Sequence, residues 1–194
     1  MNFQVQRESI LKPLQAVIGV VERRQTLPVL SNILFRATPD QLSLTATDLE
    51  VELQASIELK VEEPGEITLP ARTLLDICRT LPEQAMLNFI IDSVIAQIKS
   101  GKSKFTLSTL PASEFPLVEE INTVQDLSLP QKGLKNLIER TNFSMAQQDV
   151  RYYLNGLMLE LSDKKIRSVA TDGHRLAICE MKADVNSPGN QQVI

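Results

Sequence analysis

Asp172 and His174 stand two residues apart in the run Ala-Thr-Asp-Gly-His-Arg, and Ser144 precedes them in the same half of the chain. Acid, imidazole and hydroxyl are the residue types of a hydrolase triad, in which the acid orients the imidazole and the imidazole takes the hydroxyl proton. The spacing argues against that use. Residues i and i+2 of a strand point the same way, which does not give triad geometry, and no nucleophile elbow surrounds the serine. The tripeptide Ala-Thr-Asp also occurs at 46–48, where Glu50 takes the place of His174. Catalysis is therefore not expected. One histidine and two distant cysteines, Cys78 and Cys179, cannot assemble a usual zinc site, and no cofactor is expected.

The repeated tripeptide belongs to something larger. Asp48 and Asp172 are 124 residues apart, and their neighbours keep nearly that offset. Phe3, Val5, Ile10 and Leu14 answer Leu127, Leu129, Leu134 and Ile138, while Asn32 and Leu34 answer Asn155 and Leu157. Solenoid repeats run to about 20 to 50 residues, so a period this long is one whole domain repeated. A first module at 1–122 and the first part of a second, incomplete, at 123–194 are expected.

The elements that must position these residues follow from hydrophobic spacing. A short strand at 3–6 precedes a helix from about Glu8, in which Ile10, Leu11, Leu14, Val17, Ile18 and Val21 fall at helical intervals; Pro13 must sit near its first turn or kink it. Strands are expected at 29–37 and 42–47, and a long one at 50–62, where Val51 to Val61 alternate with a wet face rich in glutamate. Pro70 opens a second helix at 71–81, with Arg72, Asp76 and Arg79 on its outer side. Strands at 85–91, 94–99 and 103–110 are joined by turns at 92–93 and 100–102, and 111–122 reads as a linker. The second copy repeats a strand near Leu127, a helix at 132–142, and strands at 153–161, 166–170 and 175–182. The fold class is α+β: a duplicated module of two helices packed on antiparallel sheets, its second copy truncated. The missing helix would leave Leu157, Leu159, Ile166 and Val169 uncovered.

Composition fits a soluble, cytoplasmic protein. Of 194 residues, 43% are hydrophobic and 23% charged. The N-terminus lacks a signal-peptide run, and no stretch approaches the roughly 18 apolar residues of a membrane span. Cys78 and Cys179 are expected as buried free thiols. The net charge of −4 divides into −5 for 1–122 and +1 for 123–194. Acids crowd the wet face of the long strand, whereas Lys12, Arg23, Arg24, Arg72, Arg79, Lys132, Lys135 and Arg140 mark helices and their ends. An acidic protein with one basic face would hold a polyanion weakly, through salt-sensitive phosphate contacts without base specificity.

Several long motifs, in order, carry a resemblance. FSMAQQDVRYYLNG (143–156) and VATDGHRLAIC (169–179), with TLPVLSNIL (26–34), LTATDLEVEL (44–53), LPARTLLDICRTLP (69–82) and FTLSTLPASEFP (105–116), closely resemble the bacterial DNA polymerase III β subunit, the sliding clamp, along essentially the whole chain. The resemblance implies a DNA-clamp fold: three modules per chain, two chains closed head to tail into a ring, helices lining the hole. Three modules would need a parent of roughly 370 residues, so a truncated form that cannot close a ring is expected. The implied function is to encircle duplex DNA and tether the replicative polymerase, with no catalytic activity.

The resemblance also implies three groups of sites. DNA contacts fall on Arg24, Arg72, Gln148, Tyr152 and Tyr153, although a strand there would turn one of the two tyrosines into the core. The bulky turn Glu22-Arg23-Arg24-Gln25 departs from the glycine-containing turns of some relatives. A pocket for the linear motifs of partner proteins falls on Leu154, Thr171, Gly173, His174, Arg175 and Leu176, and is expected only in part. The subunit interface falls on Lys102, Lys104, Phe105 and Leu107, in a strand suited to β-augmentation. Implied partners are double-stranded DNA and primer-template junctions, the polymerase catalytic subunit, the clamp loader, translesion polymerases, mismatch-repair proteins and ligase; no membrane is involved. The competing reading is a β-rich protein-interaction adaptor without a DNA role, which the acidic net charge favours.

Overall fold

The computed structural model describes residues 1–21, 27–117, 128–162, 164–183 and 191–193. The chain divides into two compact units, Met1–Glu120 and Ile121–Ile194.

Strand β1 (Asn2–Gln6) turns Phe3 and Val5 inward and runs directly into helix α1 (Arg7–Val17). Ile10, Pro13, Leu14 and Val17 form the buried stripe of α1, at the spacing that puts them on one helix face. Pro13 stands at the seventh helical position, beyond the first turn, where it has no N–H to offer the Ser9 carbonyl. The start of α1 is tied to the rest of the unit. Arg7 Nε donates to the Cys78 carbonyl at 2.7 Å, and the Glu8 carboxylate accepts from Arg7 Nη1 and from the Gln84 backbone N–H.

Strands β2 (Asn32–Thr38), β3 (Gln41–Thr47), β4 (Glu52–Glu58), β5 (Val61–Glu63) and β6 (Gly65–Pro70) lead to helix α2 (Ala71–Thr80). Strands β7 (Met86–Ile91), β8 (Ile95–Ser100) and β9 (Ser103–Ser108) complete unit 1. Two antiparallel sheets result, in the orders β5-β1-β7-β8-β9 and β4-β3-β2-β6. The two helices pack on each other and on the sheets. Phe3 and Phe89 stack at 4.7 Å in the core, with Phe35 tilted against Phe89. Each large side chain buried this way contributes about 1.5–3 kcal/mol.

Several expectations are corrected. The expected single strand at 50–62 is two strands in different sheets. Leu59 N–H donates to the Asp40 carbonyl and Val61 N–H to the Pro39 carbonyl, so the chain bends around the β2–β3 turn and β5 joins β1 instead. Pro28–Ser31 is a 3-10 turn and not the start of β2, because proline at its head cannot join a ladder. Strand β6 was not foreseen, although Ile67 and Leu69 alternate within it. The linker expected at 111–122 is partly structure: Ala112–Glu114 is a 3-10 turn and Phe115 is buried against Val29, Leu30 and Leu34. Its remainder from 118, and the strand expected near Leu127, lie outside the described residues.

Unit 2 holds helix α3 (Gln131–Glu139) and strands β10 (Met158–Ser162), β11 (Lys165–Thr171), β12 (Leu176–Lys182) and β13 (Gln191–Val193). Their order, β12-β11-β10-β13, repeats β4-β3-β2-β6. Register repeats as well: Leu161 faces Ile166 as Ala37 faces Leu42, and Thr171 faces Leu176 as Thr47 faces Glu52. This register makes Met158, not Leu157, the counterpart of Leu34, and takes Asn155 out of correspondence with Asn32. A one-residue slip would turn each side chain to the opposite face, so pairing and not motif similarity decides the alignment.

Helix α3 ends at Glu139, short of the expected 142. Thr141 Oγ1 donates to the Leu137 carbonyl and lies 2.7 Å from Ser168 Oγ, which pins the helix end to β11. The strand expected at 153–161 begins only at Met158, after a 3-10 turn at Tyr152–Asn155. Ile166 is buried with Leu137, contrary to expectation, whereas Leu157, Leu159 and Val169 are half-buried. Ile138 is 37% exposed where its counterpart Leu14 is fully buried; among the described residues no second helix packs on α3. Cys78 is buried, but Cys179 is only partly so.

Candidate partner and nucleic-acid sites

The repeated Thr-Asp pair is a hydrogen-bonded turn, built identically in both units. In unit 2, Thr171 Oγ1 donates to the Arg175 carbonyl and accepts from Gly173 N–H, while Asp172 Oδ1 accepts from His174 N–H and Arg175 N–H. In unit 1, Thr47 and Asp48 make the same four bonds with Leu49, Glu50 and Val51. Short side-chain oxygens that satisfy the next two or three N–H groups are what such a turn requires. Gly173 has φ +88°, the left-handed region that glycine enters without steric cost.

The Asp172 carboxylate is engaged by two backbone N–H groups and by Arg175 Nε at 3.0 Å, and its pKa lies below the ordinary value chiefly because of those backbone bonds. It does not orient the His174 ring. Ser144 is buried, its hydroxyl without a partner among the described residues. Among the described residues no three acidic, histidine or cysteine side chains converge as a metal site.

The segment before β10 is a second fixed loop. Asn155 clamps it from both sides: Oδ1 accepts from Asp149 N–H and Nδ2 donates to the Asp149 carbonyl, each at 3.0 Å. Ala146 N–H donates to the Leu154 carbonyl and closes the loop. Asp149 takes Arg151 through both carboxylate oxygens, at 3.0 Å to Nε and 2.8 Å to Nη2. That side-chain pairing, with the Arg151 backbone bond, holds the Asp149 carboxyl down at about 2.

Of the expected DNA-contact residues, Arg24 lies outside the described residues, as do Glu22, Arg23 and Gln25. Arg72 is on the outer side of α2, where Nη2 donates to the Val21 carbonyl at 2.6 Å. Gln148 has φ +57° and is exposed. Tyr152 and Tyr153 are 83% and 50% exposed and meet edge to face at 5.9 Å. The expectation that one would enter the core fails because a 3-10 turn, unlike a strand, does not send successive side chains to opposite faces.

The two loops share a cleft of about 550 Å³. It brings together Gln148 from the DNA group with His174 and Arg175 from the partner group, and adds Phe143, Asp149 and Arg151. Arg175 lies over the Phe143 ring with Cζ 5.9 Å from its centroid. Leu154, Thr171, Gly173 and Leu176 do not line the cleft; Thr171 and Gly173 build the turn, and Leu176 is exposed at the start of β12. Asp149 and Arg151 were missed in the sequence. The available signal was an acid and an arginine two residues apart before a clamping asparagine.

The expected interface residues sit at the end of unit 1. Phe105 and Leu107 point inward from β9, half-buried and buried, and are part of the core as much as of any surface. Lys104 is exposed on β9, and Lys102 is exposed in the turn where Gly101 has φ +55°.

Comparison with known proteins agrees with the duplicated plan. Residues 1–119 match the model of the DNA polymerase III beta subunit N-terminal domain, and 128–194 that of its central domain. The chain is 57% identical to the beta sliding clamp of Pseudomonas putida and 47% to that of Escherichia coli, covering all of this chain and 53% of each relative. It thus spans about half the length of the curated relatives it matches. The DNA polymerase III subunit beta of Pseudomonas aeruginosa superimposes with a TM-score of 0.94 at 54% identity, over 100% of this chain and 53% of that one. The beta subunit of Caulobacter crescentus gives 0.93 at 40% identity, over 100% and 54%. A Pseudomonas aeruginosa clamp bound to griselimycin gives 0.95 at 56%, over 100% and 53%.

Proposed function

Because the chain belongs to the DNA polymerase III beta subunit family, we propose that it serves as part of a ring that encircles duplex DNA, slides on it, and tethers the replicative polymerase. The tether acts by effective concentration: a partner held near the primer end rebinds at an effective concentration on the order of millimolar. No bond is made or broken by the ring, and the reading places it in the cytoplasm on the nucleoid. The observation that carries this reading is the in-order match of both units to successive domains of one family.

In this reading Arg24, Arg72, Gln148, Tyr152 and Tyr153 touch DNA. Arg72 keeps N–H groups beyond the one given to Val21, enough for a phosphate fork. The exposed tyrosine pair offers faces on which an unpaired base near a primer junction can stack. His174, Arg175 and Leu176, with Leu154, Thr171 and Gly173 behind them, receive the linear motifs of the polymerase, clamp loader and repair proteins. Griselimycin binding by the Pseudomonas aeruginosa clamp is consistent with a small-molecule-sized cleft in this family. Strand β9, with Lys102, Lys104, Phe105 and Leu107, meets the next subunit in a head-to-tail dimer.

The test is topological. The full-length protein, loaded onto nicked circular DNA, is expected to co-elute with the circle on a sizing column and to run off after one linearising cut. Equal retention on both DNA forms would show ordinary affinity and overturn the ring. Linear-motif binding with no retention on either form would favour the adaptor.

A further inference from the structure

The Thr-Asp turn of unit 1 stands on the same scaffold as its copy in unit 2. Ile18–Val20 and Pro28–Ser31 are 3-10 turns, and so, 124 residues on, are Asn142–Ser144 and Tyr152–Asn155. Val21 N–H donates to the Ile18 carbonyl as Met145 N–H does to that of Asn142, and Leu30 N–H donates to the Leu27 carbonyl as Leu154 N–H does to that of Arg151. With the four bonds shared by the Thr-Asp turns, these place Leu27, Leu49 and Val51 where unit 2 has Arg151, Gly173 and Arg175.

The backbone is shared and the chemistry is exchanged. In unit 2 the Arg151 guanidinium lies 3.6 Å from where a Cβ on Gly173 would stand, and Arg151 and Arg175 line one cleft. In unit 1 those three positions are apolar, each about half exposed, and Glu50, also exposed, takes the place of His174. A single exposed apolar residue needs no explanation, but several that one scaffold brings together mark an interaction surface. Leu49 supplies an independent argument. It holds φ +79°, a strained backbone for leucine, and does not bury its side chain in return. Strain that packing does not explain is kept where function needs the side chain.

We propose that Leu27, Leu49 and Val51 form a docking surface for a short segment of a partner protein that presents an apolar side chain beside a lysine or arginine. The apolar anchor covers Leu49 between its two neighbours, and the cation meets Glu50. Asp48 adds negative charge at the same turn, since its carboxyl is held below the ordinary value, first by the Val51 N–H. In unit 2 the corresponding carboxylate, Asp172, is already paired with Arg175, so charge complementarity directs a basic segment to unit 1. The proposal rests on the duplicated backbone and not on the ring reading.

A phage-displayed library of short random peptides is selected on the chain, with Leu49→Gly for counter-selection, and the enriched peptides are titrated into isotope-labelled chain by NMR. Enriched peptides are expected to carry leucine or phenylalanine next to lysine or arginine, and to shift amide signals at 27–31 and 48–52. Leu49→Gly should weaken their binding at least about tenfold, as expected for losing one buried leucine contact, while resistance to urea stays unchanged or rises. Affinity that falls while stability does not separates a docking role from a structural one. Glu50→Lys should turn the preference toward acidic peptides. Failure to recover any peptide sensitive to Leu49→Gly, or shifts centred on 171–176, overturns the proposal. Shifts at 48–52 that grow with protein concentration in the absence of peptide would identify a second copy as the occupant and overturn it as well. Each of these outcomes leaves the ring reading to be decided by retention of the full-length protein on circular DNA.

Discussion

Leu49 and Gly173 occupy the same position of the duplicated Thr-Asp turn, 124 residues apart, with φ of +79° and +88°. Only one of them is a residue that adopts this conformation freely. A side chain in the left-handed region costs about 1–2 kcal/mol, and Leu49 is exposed, so no packing of comparable size compensates it. Leu49→Gly should therefore leave stability unchanged or raise it by up to about 1 kcal/mol, after glycine's own entropic cost of about 0.5–1 kcal/mol. Gly173→Leu should cost about 1–2 kcal/mol. Urea denaturation of the two variants checks both signs.

Asn155 holds the loop that carries Gln148, Asp149, Arg151, Tyr152 and Tyr153. Asn155→Ala removes both side-chain bonds to the Asp149 backbone. A loss of about 1–3 kcal/mol is expected, each bond contributing about 0.5–1.5 kcal/mol. Because the loop and Asp172, His174 and Arg175 of the Thr-Asp turn line one cleft, DNA retention and motif binding should fall together. Amide exchange confined to 146–155 would locate the change.

Asp149 supplies a pH test. Its folded pKa of about 2 lies below the unfolded value, so its pairing with Arg151 is fully present above the ordinary aspartate range and is lost as pH falls toward 2. Asp48 and Asp172 are lowered too, first by their backbone N–H donors, so the two Thr-Asp turns should weaken in the same direction. Carboxyl carbon shifts followed from pH 5 downward by about three units should show Asp149 titrating after a free aspartate does. A midpoint near the free value would remove the pairing argument.

The two thiols should differ in reactivity. Burial pushes the Cys78 thiol up to about 11, leaving almost no thiolate at neutral pH, whereas Cys179 is partly exposed at a strand. Native alkylation followed by peptide mass spectrometry should label Cys179 first by a wide margin. Labelling of Cys78 should appear only with global unfolding.

Gly133 permits a close approach that alanine would disturb. A Cβ there would stand 2.7 Å from Met181 Cε, the flexible end of a side chain from β12. Alanine gains about 1 kcal/mol of helix propensity, but Met181 must move off its contact with α3. Gly133→Ala alone should be near neutral, and Gly133→Ala with Met181→Ala should keep the helical gain while losing the methionine's packing. Thermal unfolding of the single and double variants separates the two effects.

By itself the sequence determined the elements whose partners are local. The stripe of Ile10, Leu14 and Val17 specifies a helix wherever it packs, and Asp92 or Gly101 makes a turn from its own neighbours. The 124-residue period also exposed the duplication, because a repeated domain repeats its hydrophobic pattern. Tertiary structure alone decided what depends on the choice between equivalent partners. Alternation from Val51 to Val61 fits either sheet, and only the bonds from Leu59 and Val61 to the β2–β3 turn send β5 to β1. The tyrosines at 152 and 153 read equally well as strand residues until Asn155 and Ala146 close the loop behind them. The cleft exists for the same reason: Gln148 lies in a loop held by Asn155, His174 and Arg175 in a turn held by Asp172, and only the fold sets these two locally bonded segments around one cleft.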